Sequence, residues 1–182
     1  MNDLNKRYSL KDNRKYIIRE IELTDTKNFI NYRDTLSDQT TFLRASKSEL
    51  DLNLKNQSET IHNFIDSDNH YSLIAELDGV IIGNLQFRGG NYQRTKHAGE
   101  FGISVLKEYW GNNIGYNLLS HLIKWVEENN IVKKISLEVR EDNKCAISLY
   151  KKLGFQIEGT IRKNFFSEGR YYNSHIMGMF FE

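Results

Sequence analysis

The most informative segment of the chain is residues 139–155, Val139-Arg-Glu-Asp-Asn-Lys-Cys-Ala-Ile-Ser-Leu-Tyr-Lys-Lys-Leu-Gly-Phe155. Four of its apolar side chains share one helix face, at i, i+3, i+4 and i+7 spacing: Ala146, Leu149, Tyr150 and Leu153. Asp142 or Asn143 can cap the start of this helix, and Gly154 ends it. The segment therefore predicts a strand that ends at Val139 and a helix that follows it directly.

A second segment precedes it, residues 100–116, Glu100-Phe-Gly-Ile-Ser-Val-Leu-Lys-Glu-Tyr-Trp-Gly-Asn-Asn-Ile-Gly-Tyr116. Strand alternation places Glu100 on the face opposite Phe101, and a turn at Trp110-Gly111 opens a helix. The first N–H groups of a helix are unpaired and carry partial positive charge, which suits a phosphate group. Gly111 and Gly115 let the backbone approach such an anion closely, or they serve only the turn and the packing of the helix.

The rest of the chain continues this alternation of strands and helices. Further strands are predicted at 16–23, 71–77, 80–87, 98–106, 135–139, 155–161 and 171–180. Helices are predicted from Thr24-Asp25, over about 47–66, from 110–111 to 129, and from 142–143 to 153. Asp78-Gly79 is a short-hairpin signal. We expect a mixed α/β (α+β) fold, with a loose polar arm over 1–15 and one domain over 16–182.

Composition narrows the class of protein. The chain has 182 residues, and 39% of them are hydrophobic, which fits a globular protein. Its formal net charge of +1 gives no strong electrostatic field that would attract nucleic acid. Cys145 is the only cysteine, so no internal disulfide forms. The first 16 residues lack an apolar core, and no apolar run could span a bilayer. We expect a cytoplasmic protein that binds neither nucleic acid nor membrane.

Together, and in this order, the two segments resemble the GNAT superfamily of N-acetyltransferases. Residues 143–155 match its Asn-x-x-Ala-x-x-Leu-Tyr-x-x-x-Gly-Phe signature, and 110–116 resemble its acetyl-CoA loop. Residues 158–162 and 165–172 look like the branch with ribosomal-protein and spermidine acetyltransferases. The resemblance implies a mixed, mostly antiparallel sheet of about seven strands flanked by four helices. It also implies acetyl-CoA as co-substrate, no metal, and direct acetyl transfer to a primary amine in a ternary complex.

The resemblance also assigns roles to residues. Backbone groups of Ser104, Val105 and Leu106 would hold the pantetheine arm and polarise the thioester carbonyl. The pyrophosphate would lie on a loop formed by Trp110, Gly111, Asn112, Asn113, Ile114, Gly115 and Tyr116. Asn143 would contact the pantetheine, Tyr150 would protonate the leaving thiolate, and Glu100 would act as base, directly or through water. Trp110 stands where the family usually has Arg or Gln, and Asn113 where it usually has Gly.

Each catalytic role has a plainer alternative. For Tyr150 the alternative is a core aromatic, although a phenol of pKa near 10 is a suitable acid for a thiolate of pKa near 8.5. For Glu100 the alternative is a solvated carboxylate. Deprotonation is needed somewhere, since an alkyl ammonium is only about 0.04% neutral at pH 7, a handicap of roughly 4.6 kcal/mol. Cys145 is expected to be a partly buried thiol and not a nucleophile, and the scattered histidines predict no metal site.

The acceptor amine is left open by the sequence. Acidic residues fall around the second predicted helix: Glu49, Asp51, Glu59, Asp66 and Asp68. They describe either a solvated helix face or a site for a small cationic amine such as a polyamine. A protein N-terminal or lysine amine, an amino acid and an amino-bearing antibiotic are the alternatives, and a non-catalytic CoA-binding sensor is another. The family resemblance makes a homodimer through the C-terminal strands plausible.

Overall fold

The computed structural model describes residues 6–182, in which one sheet carries helices on both faces. The strands are β1 (Arg7–Ser9), β2 (Lys15–Glu20), β3 (His70–Leu77), β4 (Val80–Gly89), β5 (Ala98–Val105), β6 (Lys134–Arg140), β7 (Gln156–Ser167) and β8 (Arg170–Phe180). The helices are α1 (Thr26–Ser37), α2 (Leu54–Ile65), α3 (Ile114–Glu128) and α4 (Lys144–Lys152). The predicted α/β class, the mostly antiparallel sheet and the four helices are confirmed.

The sheet order is β1-β2-β3-β4-β5-β6-β8-β7. All neighbouring strands are antiparallel except β5 and β6. That parallel pair is short, because only Ala98–Glu100 pair with Lys134–Ser136. Beyond Glu100 the two strands part, while β5 stays paired with β4 through Val105. The parting opens a cleft in the middle of the sheet.

Two apolar cores flank the sheet. On one face, α3 packs through Leu118, Leu119 and Leu122 against β3, β4 and β5, and α4 adds Ile147 and Tyr150. On the other face, α1 and α2 form a smaller core with the sheet: Ile21, Phe29, Tyr32, Leu36, Ile61, Ile74, Ile81 and Leu106. Period-2 strands and period-3.6 helices with one apolar side require this layering.

The N-terminal arm differs from expectation. Arg7–Ser9 form β1, which pairs with residues 15–17 of β2, and Leu10 is buried, so the sheet has eight strands instead of about seven. A polar strand of three residues gives no periodic signal, and its pairing depends on the hairpin with β2. Residues 1–5 of the expected arm lie outside the described part, and the single domain over 16–182 stays a prediction.

Two helices begin later than the sequence predicted. Asn53 caps α2, since its Oδ1 accepts hydrogen bonds from the Lys55 and Asn56 amides at 3.0 and 3.2 Å, and Lys47–Glu49 form a separate 3-10 turn. α3 starts at Ile114 because Gly111 and Asn113 have φ of +76° and +59°, which an α-helix does not allow. Over residues 6–182, no helix is long and apolar enough to cross a membrane.

Candidate active site

The parting of β5 and β6 leads into a cleft of about 1580 Å³. One wall, the α3–α4 side, is formed by the start of α3 and by α4 and includes Trp110, Asn143 and Tyr150. The opposite wall, the α1–α2 side, includes Tyr32 and Arg33 and continues over the ends of β4 and β5. Both walls are lined by residues that come from separate parts of the chain.

The end of β5 gives the cleft a backbone donor. The Leu106 amide already donates to the Ile82 carbonyl oxygen at 3.0 Å. Successive amides of a strand point to opposite edges, so the Val105 amide points toward the edge that β6 has left. The Val105 carbonyl oxygen, on that same edge, accepts from Trp110 Nε1 at 2.7 Å. The sequence allowed either amide to polarise a carbonyl. Of the two, the Leu106 amide is already bonded and Leu106 does not line the cleft, so the Val105 amide is the one left open to a ligand.

Ser104 faces the other way. Its Oγ shares a hydrogen bond of 2.8 Å with the Tyr32 hydroxyl, which links β5 to α1. Burial raises the pKa of Tyr32, so this hydroxyl stays protonated at neutral pH. Tyr32 was not identified from the sequence, because an aromatic at helical spacing reads as core.

The start of α3 presents open amides. No side chain caps this helix, and the first amide bonded within it is that of Asn117, which donates to the Asn113 carbonyl oxygen at 2.9 Å. The amides of Ile114, Gly115 and Tyr116 are therefore available to an anion, and all three residues line the cleft. A Cβ on Gly115 would lie 3.3 Å from Leu149 Cδ2, so Gly115 also permits the close packing of α3 on α4.

The remaining residues of this loop have distinct tasks. Asn113 and Gly111 line the cleft, and their positive φ angles turn the chain into α3. Trp110 is 52% exposed beside the same opening. Asn112 does not line the cleft. Its Nδ2 donates to the Tyr109 carbonyl oxygen at 3.0 Å and its Oδ1 accepts from the Lys11 amide at 2.9 Å, so it holds the loop against the N-terminal hairpin.

Helix α4 supplies two side chains. Asn143 caps it, with Oδ1 accepting from the Ala146 amide at 3.3 Å, and its Nδ2 has no hydrogen-bond partner within residues 6–182. Tyr150 is 7% exposed and its ring packs edge-on against Phe101 and Phe155. Its hydroxyl likewise has no partner in the described part of the chain, and Tyr150 lines the cleft. Burial raises the pKa of Tyr150, which keeps the phenol protonated as a proton donor.

Glu100 lies on the exposed side of β5 and lines the cleft. It is the Cα partner of Arg88 on β4 and of Ser136 on β6. No ion pair or hydrogen bond of its carboxylate occurs within the described residues. Glu100 therefore sits at the point where the strands separate, with its carboxylate available to a ligand.

Several lining residues were missed by the sequence reasoning. Arg33 and Arg88 line the α1–α2 side, and the Nε2 of Gln86, two residues before Arg88 on β4, is buried with no partner among residues 6–182. Alternation does predict that Gln86 and Arg88 share a face of β4. Only the strand pairing shows that this face adjoins Glu100.

The loop over 38–53 crosses the cleft toward β6. Arg140, only 4% exposed, donates through Nη1 to the Thr41 carbonyl oxygen at 2.8 Å and pairs with Asp142 at 2.7 Å. Its guanidinium lies 3.9 Å from the Tyr172 ring centroid and 4.7 Å from that of Phe42. Arg44 of the same loop pairs with Glu138 at 2.6 Å. These contacts close the cleft over its α1–α2 side.

The acidic residues around α2 do not gather in the cleft. Asp51 is the member of that set that lines it. Glu49 accepts from the Ser46 amide at 2.8 Å, Glu59 lies 3.9 Å from Lys55, and Asp66 pairs with His62 at 3.2 Å. Most of the set therefore belongs to the solvated surface of the helix.

The remaining candidate groups are Cys145 and the side chains that could bind a metal ion. Cys145 is exposed and not partly buried as expected, because the first turn of α4 faces the cleft mouth. Within residues 6–182, no three His, Cys, Asp or Glu side chains are grouped in a way that could hold a metal ion.

Comparison with known proteins agrees with this geometry. A family model described as the acetyltransferase (GNAT) family matches residues 33–155. The chain is 33% identical over 105 residues to the L-amino acid N-acetyltransferase AaaT of Escherichia coli K12, covering 58% of this chain and 65% of that protein, just under two-thirds of its length. It is 29% identical over 164 residues to an N-alpha-acetyltransferase of Sulfolobus acidocaldarius, covering 82% and 94%.

A solved structure gives the same answer. The GNAT-family acetyltransferase of Streptococcus pneumoniae superimposes with a TM-score of 0.88 at 29% identity, covering 91% of this chain and 99% of that one. Since the family model spans more than half of the sequence, this chain belongs to the acetyltransferase (GNAT) family.

Proposed function

We propose that the protein is an acetyl-CoA-dependent N-acetyltransferase that transfers the acetyl group directly to a primary amine in a ternary complex. The observation that carries the proposal is the parting of β5 from β6. It brings an open Val105 amide, the open amides of α3 and the Tyr150 hydroxyl to one cleft. These are the groups that thioester aminolysis requires, namely an oxyanion donor, an anion site and an acid.

Acetyl-CoA fits the α3–α4 side. The pyrophosphate would accept hydrogen bonds from the amides of Ile114, Gly115 and Tyr116, where the helix dipole adds favourable charge. Asn143 has a donor for the amides of the pantetheine arm. Because the loop of Trp110 to Asn113 bends through two positive-φ residues, the backbone can lie close to the phosphates.

The reaction follows from the groups at the end of β5. The neutral amine attacks the thioester carbon, and the Val105 amide stabilises the oxyanion that forms. As the C–N bond forms and the C–S bond breaks, Tyr150 gives its proton to the departing sulfur. The excess proton of the attacking amine passes to Glu100, directly or through water, and Tyr150 is reprotonated from solvent. The products are an N-acetyl amine and CoA.

Two classes of acceptor amine fit this proposal. A small cationic amine such as a polyamine would be drawn by Glu100 and Asp51, acids of the α1–α2 side that form no ion pair with any residue of 6–182. An α-amine is the alternative, either of an amino acid or of a protein N-terminus, in line with the names of the relatives from Escherichia coli and Sulfolobus acidocaldarius. A lysine amine or an amino-bearing antibiotic would present the same nucleophile.

Assembly and location stay predictions. A homodimer through the C-terminal strands would use β7, the last strand of the sheet, on which Ile157, Ile161 and Phe166 are exposed. A cytoplasmic location and the absence of nucleic-acid or membrane partners rest on the composition alone.

The test is thiol release from acetyl-CoA at pH 8 with polyamines, amino acids, aminoglycosides and short peptides. We expect release with one class of amine and loss of release in Tyr150→Phe. Tight binding of acetyl-CoA by calorimetry, without release of thiol in the presence of any amine, would contradict the proposed catalytic activity and favour a CoA-binding sensor. Failure to bind acetyl-CoA would contradict the proposal altogether.

A further inference from the structure

The α1–α2 side of the cleft holds two arginines without a carboxylate partner. Arg33 projects from α1 and Arg88 from β4, and both line the cleft with Glu100. Within residues 6–182, neither guanidinium has a carboxylate oxygen within 4.0 Å. A guanidinium carries five N–H donors in a planar fork suited to a carboxylate. Two such groups in one wall are therefore suited to bind a ligand that carries a carboxylate.

Both arginines are held in place by uncharged groups. Arg33 Nη1 donates to Gln57 Oε1 at 2.9 Å and to the Asp51 carbonyl oxygen at 3.4 Å. Its Nε and Nη2 have no partner in the described part of the chain. The Arg88 guanidinium lies 4.8 Å from the centroid of the Phe64 ring and makes no hydrogen bond there. Most of their donors are therefore left for something that enters the cleft.

The other cations of the cleft are different. Arg44 pairs with Glu138 at 2.6 Å, Arg140 with Asp142 at 2.7 Å and Lys134 with Glu158 at 2.8 Å. Lys144, the remaining one, belongs to α4 on the opposite wall. The two arginines with no acid partner thus lie together on one side.

Burial and neighbouring charges both act on the two arginines. Burial lowers the pKa of Arg33, the charge of Asp51 offsets part of this, and the charge of Arg88 adds to it. Burial also lowers the pKa of Arg88. Asp51 is engaged elsewhere, since its carboxylate accepts from the Asn53 amide at 3.0 Å and from Asn56 Nδ2 at 2.8 Å. An incoming anion would relieve both the desolvation and the mutual repulsion of the arginines.

Glu100 and Arg88 stand opposite each other on neighbouring strands. Cβ atoms of such partners lie about 5 Å apart, yet these two side chains do not form an ion pair. A negative and a positive group are thus presented side by side to the same space. An α-amino acid carries an amine and a carboxylate on one carbon, and would place the amine by Glu100 and the carboxylate by the arginines.

We infer that the acceptor is an α-amino acid with a free carboxylate, which Arg33 and Arg88 bind and so determine specificity. The inference rests on the proposed acetyl transfer and narrows its acceptor. A polyamine has no carboxylate, and a protein N-terminus has an amide at that position. Both would leave the two guanidinium groups without a partner in the complex, which is the usual source of strong discrimination.

The test compares amino acids with their amides, which keep the amine and side chain but lack the carboxylate. Alanine, leucine, methionine and phenylalanine would each be paired with the corresponding amide, and spermidine added. We expect kcat/KM to favour the best acid over its amide by roughly 10- to 100-fold. Arg88→Gln and Arg33→Gln should each remove most of this preference. Each should lower kcat/KM for the amino acid and change kcat/KM for the amide by no more than about threefold.

Controls separate specificity from folding. Arg94→Gln changes an exposed arginine outside the cleft and should leave the acid-to-amide ratio as it is. Arg88→Lys should recover part of the preference, because it keeps the charge. Acetyl-CoA affinity by calorimetry should be the same in all variants that fold.

A binding arm keeps the inference testable without turnover. With the protein saturated with CoA, calorimetry would compare the same acids and amides. Equal binding and equal kcat/KM for acid and amide, or equal losses for both in the arginine variants, would overturn the inference. Acetylation of spermidine or amides alone would do so and leave the proposed function standing. Selective binding of the acids without any thiol release would support the arginine site and contradict the acetyl transfer.

Discussion

The two sides of the cleft are built in different ways. The α3–α4 side uses backbone amides and residues from two short segments, 109–116 and 143–150. The α1–α2 side uses side chains from α1, β4, β5 and the loop over 38–53, which are far apart in sequence. A common co-substrate can be held by main-chain geometry that many side chains tolerate. A particular acceptor needs side chains, and these can change without loss of the fold.

The largest expected effect concerns Tyr150. Tyr150→Phe removes the acid but keeps the ring contacts with Phe101 and Phe155, so kcat should fall by about 10²- to 10⁴-fold while acetyl-CoA affinity changes little. Steady-state kinetics and calorimetry measure the two quantities. Tyr92→Phe, at an exposed tyrosine outside the cleft, is the matched control. An unchanged kcat in Tyr150→Phe would remove Tyr150 from the mechanism.

The pH dependence of Tyr150 has a definite sign. An acid works only when protonated, and burial raises the pKa of Tyr150, so its ionisation moves to higher pH than that of a free phenol. We therefore expect no loss of kcat from this group up to about pH 10. A pH profile of kcat in the wild type and Tyr150→Phe checks this. A tyrosine-dependent decline that begins below pH 9 would contradict it.

Smaller effects are expected from Arg140 and Arg44, the two arginines that hold the loop over 38–53, and the two effects should differ in size. Arg140→Met removes buried, charge-assisted bonds to Thr41 and Asp142, and should raise the acceptor KM by about tenfold and speed hydrogen exchange in the loop. Arg44→Met breaks a pair whose arginine side chain is 72% exposed, so its effect should stay below about fivefold. A fall in acetyl-CoA affinity with an unchanged acceptor KM would contradict this prediction, because it would mean that the loop supports the α3–α4 side.

Two glycines of nearly equal φ provide a sharper comparison. Gly111 (φ +76°) lies in the loop before α3, and Gly169 (φ +75°) lies in the turn between β7 and β8. Alanine at either position should cost about 1 kcal/mol of folding free energy, measured by denaturant unfolding. Only Gly111→Ala should weaken acetyl-CoA binding, by up to about fivefold. Equal Kd values for the two variants would show that the loop does not contact acetyl-CoA.

The smallest effect is expected at the bond between Tyr32 and Ser104. Tyr32→Phe, Ser104→Ala and the double variant form a cycle whose coupling free energy of unfolding should be about 1 kcal/mol. Denaturant unfolding of the four proteins gives that value. The acceptor KM should change by no more than a few-fold, since the bond supports the wall of the α1–α2 side. Zero coupling would mean that the link between α1 and β5 does not stabilise the fold.

Local patterns predicted the α3–α4 side well. Strand alternation, helix spacing and the caps depend on residues within a few positions of one another, so β5, β6 and α4 were predicted close to their actual bounds, whereas α3 begins at Ile114 instead of at 110–111. The helix that Asn143 opens and the Asp78-Gly79 hairpin belong to the same kind of information. The family resemblance rested on these segments for the same reason.

What the amino-acid order could not provide is the meeting of distant residues. Arg33 and Arg88 share a wall only because α1 packs on the face of β4 that carries Gln86 and Arg88. Whether Val105 or Leu106 offers its amide depended on which edge of β5 pairs with β4. The short strand β1 and the exposure of Cys145 depended on hairpin pairing and on the direction of α4. Period and propensity act along the chain, whereas strand parting and charge pairing arise between segments brought together by the core.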